Sequence, residues 1–290
     1  MNPTVPPFAY AAVLLGAMLH AGWNVAVRRG RDRAFETALV VAGGAVLALL
    51  VLPLLRQPAA AAWPHLLLSC LLHVAYFGLL AAAYARAGVA VVYPLMRGVA
   101  PLLVLLVAVW LFAEPLTPMV WVGVLTLCAG VLLMRGRTRP DAGAGQMYAL
   151  ANAVVIAAYT LNDAAGVRLS GAPVAYALWI FPLTALPTLA WLRRGTGTSA
   201  TPALRLETMG WSNVLRALGG GASSLASYAL ALWAMTVAPV APVAPVAALR
   251  ETAMLFGVVL ARLTLHERAP ARTWAAVLLI ALGAAALRLG

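Results

Sequence analysis

Tyr93-Pro94-Leu95-Met96-Arg97-Gly98-Val99-Ala100-Pro101 sets a single arginine inside an apolar run that continues to Phe112, with Glu114 just behind it. The pattern returns 153 residues later, where Val246-Ala247-Ala248-Leu249-Arg250 enters an apolar run followed by Glu267. At the same offset Trp121 meets Trp274, Gly130 meets Gly283 and Arg135 meets Arg288. Coincidences of such rare residue types at one fixed spacing mark an internal repeat.

Outward from this stretch, the composition decides the solvent. Of 290 residues 64% are hydrophobic and 10% charged, and the mean hydropathy is +0.93. A soluble globule carries roughly 25% charged residues to cover its surface. This chain has too few, so its solvent must be apolar. The net charge of +12 does not indicate a nucleic-acid partner, because all twenty basic residues are arginines placed between apolar runs. Cys70 and Cys128 lie within such runs and read as small packing residues, not a disulfide framework.

At about 20 apolar residues per crossing, ten spans follow, at 7–27, 34–55, 65–85, 90–112, 117–134, 146–168, 172–192, 212–236, 244–265 and 271–289. The runs are continuous, not alternating, which excludes a β-barrel and predicts an all-α integral membrane bundle. The first span is too long and too poorly flanked by basic residues for a cleaved leader, and is expected to be retained. Five spans per repeat is an odd number, so the second repeat must enter the membrane from the opposite side. The expected fold is two inverted five-helix repeats, residues 1–138 and 139–290. Secondary transporters are often built this way, with the substrate site near the midplane between the repeats.

Thirteen arginines fall in the connections 1–2, 3–4, 5–6, 7–8 and 9–10, against Arg56, Arg168 and Arg288 on the other side. The bias places both termini outside the cytoplasm.

The stretch from Tyr93 to Glu114, with His20-Ala21-Gly22-Trp23-Asn24 and Tyr159-Thr160-Leu161-Asn162-Asp163, resembles the EamA branch of the drug/metabolite transporter superfamily. The likeness runs through the whole chain, including the spans and the repeat. It implies a carrier of small metabolites, often an exporter of amino acids, in a bacterial inner membrane. Ten-span members commonly keep both termini in the cytoplasm, so the arginine bias here departs from that pattern.

Ionisable groups inside a bilayer cost about 2.5–3.5 kcal/mol on insertion scales and so point to function. Arg97 and Arg250 offer planar forks suited to a carboxylate or phosphate; the alternative is that they tie helices together, through Glu251, Asp163 or free carbonyls. Asn152, Tyr159 and Asp163 return to one helix face, which reads as cavity-lining, with Asp163 as a carboxylate for proton coupling. Glu251 projects away from its neighbour Arg250 and joins the coupling or gating set. His20 and Asn24 share a face at i, i+4; the resemblance sets His20 where small relatives carry a proton-exchanging glutamate, and a histidine there titrates near neutral pH. His73 and Tyr76 lie on one side of the third span. Small residues Gly219-Gly220-Gly221 in the eighth span suit close helix packing, while Ser227, Tyr228 and Trp233 are candidates for the cavity wall. Pro239, Pro242 and Pro245 recur at the polyproline II period and predict a stiff link. Pro94 and Pro101 predict a kinked or interrupted helix around Arg97. Glu114 and Glu267 are expected to cap the helix that follows each or to bridge to a loop arginine.

No histidine–cysteine spacing suits a metal, and no glycine-rich phosphate loop is present, so neither a metal nor a cofactor is expected. Ser223 and Ser224 lack a base on a neighbouring helix, which disfavours an intramembrane enzyme. The expected activity is secondary transport of a small organic solute bearing a carboxylate or phosphate, by alternating access and toward export. An amino acid is the first candidate. A lipid-linked flippase or a channel of the same fold stays open, as does a monomer or a homodimer among membrane lipids.

Overall fold

The computed structural model describes residues 5–29, 33–111, 113–114, 116–136, 142–193, 210–237, 243–266 and 269–289. Among them the regular structure is entirely helical: α1 (Pro7–Arg29), α2 (Arg33–Val51), α3 (Trp63–Arg86), α4 (Val89–Trp110), α5 (Pro118–Leu133), α6 (Gly143–Ser170), α7 (Pro173–Arg193), α8 (Trp211–Ala234), α9 (Val243–Arg250), α10 (Ala253–Thr264) and α11 (Ala271–Leu289). Short 3₁₀ turns at Leu52–Leu54 and Ala60–Ala62 lead from α2 into α3. Seven segments are long and apolar enough to cross a membrane, one of them Val243–Thr264, which contains both α9 and α10. Large apolar side chains such as Leu50, Leu71, Leu186, Leu215 and Leu263 stand exposed on the outside, as expected where lipid replaces water.

Local chemistry sets several boundaries. The Thr117 hydroxyl accepts the Val120 amide at 3.2 Å and Pro118 opens α5, the usual side-chain cap and first-turn proline. Helix α6 stops at Gly171, whose φ of +60° is left-handed.

The packing partners follow the repeat. Helix α3 packs on α6 and α1 on α8; α4 packs on α6, and α1 on α9 and α10; α5 packs on α11. Exchanging the first five spans with the second five maps each pair onto the other. Helix α6 begins beside the end of α3, where a Cβ on Gly145 would lie 2.5 Å from that of Ala87. It finishes beside the start of α3, where the Ala59 amide donates to Ser170 O at 2.9 Å. So α6 runs opposite to α3; it also ends where its counterpart α1 begins, since Arg168 donates to Met235 O just past the end of α8 and Phe8 meets Trp233 there. Glycines set the closest crossings. A Cβ on Gly43 would stand 2.0 Å from Ala217 O, and one on Gly221 2.3 Å from Gly44 N, so α2 and α8 touch backbone to backbone. The repeated pair Gly130 and Gly283 does the same for α5 and α11, with Ala276 O at 2.9 Å and Leu127 N at 2.6 Å.

Three expectations change. Helix α4 is unbroken with Pro94 and Pro101 inside it; the break falls instead at Glu251-Thr252, between α9 and α10. Pro245 is not part of an extended link but sits in the first turn of α9, where its missing amide costs nothing. Glu114 does not cap α5. Both its carboxylate oxygens accept the Val243 amide at 3.2 Å, capping α9 of the other repeat. Burial raises the Glu114 carboxyl above its ordinary range, opposed by that amide and by Arg168. Glu267, Pro239, Pro242 and six arginines of the orientation count (Arg31, Arg137, Arg139, Arg194, Arg205, Arg268) lie outside the described residues.

Candidate functional site

Because the repeats interleave, their middle helices enclose a cavity of about 600 Å³. Its wall draws on α1, α2, α3, α4, α6, α7, α8, α9, α10 and the start of α11. It reaches from mid-helix residues such as Arg97, Tyr228 and Arg250 to Val27, Tyr84, Val89 and Thr273. Those last four stand at the helix ends that bear the arginine-rich connections. The opposite half is packed solid: Val5, Val13, Leu66, Leu105, Leu232 and Leu249 belong to one buried core. The cavity is therefore a vestibule, open toward one end of the bundle and sealed toward the other.

At its inner end lie the two repeated arginines. Arg97 is buried and its Nε is 2.7 Å from Glu251 Oε2. That ion pair joins α4 of one repeat to the α9–α10 break of the other. Arg250 ends α9, and its guanidinium carbon stands 5.1 Å from the centre of the Tyr228 ring, a cation–π distance. Among the described residues no carboxylate lies within ion-pair distance of Arg250. A small pocket of about 10 Å³ beneath the cavity is lined by Arg97, Arg250, Glu251, Tyr159 and Thr160 among others.

The break that places Arg250 is a tightened turn. Glu251 N donates to Ala248 O at 2.9 Å and Thr252 N to Leu249 O at 3.0 Å, both three-residue bonds. The Thr252 hydroxyl takes the same Leu249 carbonyl at 2.7 Å. A 3₁₀ stretch inside a span often marks a hinge or a site.

Around the arginines stands an aromatic wall. His73 stacks on Tyr159 at 4.3 Å and meets Tyr228 edge-on at 6.0 Å; Tyr76 meets Tyr159 at 6.3 Å. His73 Nδ1 is 2.8 Å from Ser69 O; a carbonyl only accepts, so that nitrogen donates and carries the proton. His20 packs edge-on against Trp23 at 5.2 Å, and Asn24 Nδ2 donates to His20 O at 2.7 Å.

His20, Asn24, His73, Tyr76, Arg97, Tyr159, Ser227, Tyr228 and Arg250 all reach the cavity wall. Four candidates do not. Trp233 faces the start of α1, its ring 6.0 Å from that of Phe8. Glu251 lies below the cavity, paired with Arg97. Asp163 is fully buried behind the wall, where Tyr228 donates its hydroxyl to Oδ2, Tyr176 donates to Oδ1 at 3.1 Å and Asn162 Nδ2 to Oδ1 at 3.4 Å. Asn152 is buried too, donating to Met96 Sδ at 3.4 Å. The same face of α6 thus divides: Tyr159 is on the cavity and its neighbours are behind it. The sequence reading passed over Phe181, Thr184 and Tyr93 on the wall. It also missed the Glu36–Arg216 ion pair, which ties α2 to α8. Hydropathy carries no sign of which apolar residue faces a void.

Residues 7–136 match the EamA-like transporter family. A solved protein crystal structure is similar over 97% of this chain and 96% of its own length, with a TM-score of 0.73 and 22% sequence identity; at that identity the likeness shows the fold alone. No curated protein matches. The family match spans the first repeat, just under half of the chain, and that family consists of membrane transporters of small solutes. The chain is a multi-pass membrane protein.

Proposed function

We propose that the protein is a secondary carrier that moves a small organic anion or zwitterion, an amino acid first among them, by alternating access of the vestibule. The observation that carries this reading is the position of Arg250: a guanidinium on the inner wall of a cavity of about 600 Å³, without a carboxylate partner among the described residues. An arginine so placed offers a bidentate fork to a carboxylate or phosphate. The rings of His73, Tyr76, Tyr159 and Phe181 give the rest of the solute an apolar surface. The two units that move against each other are residues 1–138 and 139–290.

Substrate contact falls to Arg250, Tyr228, Tyr159, Tyr76, Ser227 and Asn24, with His20 and His73 beside them. Arg97 and Glu251 hold the repeats together beneath the site. If the arginine-rich end faces the cytoplasm of a bacterial inner membrane, the vestibule loads from inside and the direction is export, with both termini outside.

Arg250→Gln tests this in proteoliposomes. Losing a charged hydrogen bond costs about 1.5–3 kcal/mol, so uptake of the preferred amino acid or monocarboxylate should fall roughly ten- to a hundredfold while insertion and solubility stay unchanged. Unaltered uptake would remove Arg250 from the site.

A further inference from the structure

Two cations and two anions stand at or behind the inner end of the vestibule, and they are not balanced in the same way. Arg97 meets Glu251 directly at 2.7 Å. Arg250 and Asp163 are separated by one aromatic ring: Tyr228 lies under the guanidinium and gives its hydroxyl to Asp163 Oδ2. Asp163 otherwise receives Tyr176 and Asn162, both neutral donors. Among the described residues no cation lies within ion-pair distance of this fully buried carboxylate. Three donors aimed at it suit the ionised form, which only accepts. Across the Tyr228 ring it faces Arg250, a permanent cation, while the titratable His73 also bears on it.

An incoming anion changes that balance. Once a substrate carboxylate sits on Arg250, Asp163 is left as a buried negative charge with no permanent cation to compensate it, a costly arrangement. A proton removes the cost. We propose that Asp163 takes up one proton when an anion binds at Arg250, so that solute and proton occupy the protein together. The inference rests on the reading of Arg250 as the anion contact. A hydronium ion in the vestibule gives up one O–H bond, leaving water, and its proton goes to the Tyr228 oxygen while Tyr228 passes its own hydroxyl proton to Asp163 Oδ2. One O–H bond breaks and one forms at each transfer, and the net result is a neutral Asp163 carboxyl beside an unchanged Tyr228 hydroxyl.

The other groups facing Asp163 do not fill this role. On α3, Ser69 is neutral and His73 already spends its Nδ1 proton on Ser69 O. His65 reaches Asp163 only through Asn162, with Nδ1 donating to Asn162 Oδ1 at 2.9 Å. Tyr176 on α7 and Tyr228 on α8 are donors in place. Arg97 of α4 already has Glu251.

Binding and protonation at linked sites favour each other equally, so carboxylate affinity should rise as pH falls, by at most about tenfold per pH unit. The test is calorimetric titration of the purified full chain in lipid nanodiscs with phenylacetate, in buffers of different ionisation enthalpy, which counts protons taken up per carboxylate bound. The expected result is close to one proton for the unaltered chain and for His65→Gln. It is close to none for Asp163→Asn, which should still bind phenylacetate with an affinity independent of pH. Binding without proton uptake in the unaltered chain would overturn the proposal while leaving the anion site standing. So would uptake that vanishes in His65→Gln and persists in Asp163→Asn. If Asp163→Asn fails to fold, the counts for the other two chains decide alone. Absence of phenylacetate binding would sink the anion site and this inference together.

Discussion

Arg97 and Arg250 hold the same position in the two repeats, yet one is locked in an ion pair and the other faces the cavity. The residue after each explains the difference. Gly98 follows Arg97, and a Cβ there would lie 2.7 Å from Leu132 Cγ of α5. That position must stay small, and α4 runs on unbroken. The equivalent residue after Arg250 is Glu251, and the counterpart of Leu132 is Ala285. The second repeat therefore has room for a larger side chain at this position. Its carboxylate crosses to Arg97, and the helix tightens at Glu251-Thr252. A fully symmetric molecule would have offered Arg250 only Gly98, which has no side chain to pair with. The repeat supplies two guanidiniums, and one departure from it leaves a single one for the cavity.

Breaking the pair should have the largest effect. Glu251→Gln leaves Arg97 buried without its counterion, a loss of about 3–5 kcal/mol. It should appear as a lower thermal midpoint and poorer recovery of monodisperse protein. Replacing both partners, Arg97→Met with Glu251→Leu, should restore most of that stability, as apolar pairs of similar volume do for buried ion pairs. Failure of the double change to recover would mean that the pair is not the main tie between the repeats.

A smaller effect tests the glycine. Gly98→Ala pushes a Cβ into Leu132 and should cost about 1–3 kcal/mol in overpacking. Adding Leu132→Ala should relieve the clash. Equal stability of Gly98→Ala and the unaltered chain would remove this account of why only one repeat carries a glutamate. The smallest effect is expected at the turn. Thr252→Val deletes the hydroxyl bond to Leu249 O and should cost about 1 kcal/mol in thermal stability. Solute flux should drop further than that figure alone implies, because Arg250 is placed by the same turn.

Much of this was legible in the sequence and some was not, for physical reasons. Seven of the ten spans were plain because lipid demands long apolar runs, whereas the apolar stretches of α5 and α7 are shorter and α8 is less apolar; the inversion followed from the repeat at Arg97, Glu114 and Gly130. The break at Glu251-Thr252 was hidden, because neither residue is a helix breaker and the cause is a partner on α4. Pro94 and Pro101 do not interrupt α4, which packs against α5 and α6. Helical periodicity grouped Tyr159 with Asp163, but one face of α6 covers both cavity wall and core. Trp233 looked like its neighbour Tyr228, yet it stands near the sealed end against Phe8. Glu114 was expected to serve the nearest helix, whereas its amide partner is Val243, a residue brought near only by folding.

The most direct test of the carrier account is counterflow in proteoliposomes preloaded with an unlabelled solute that the protein accepts. An alternating vestibule predicts that labelled solute added outside accumulates transiently above its equilibrium level, with a rate that saturates. Steady entry that never overshoots and rises in proportion to concentration would contradict it.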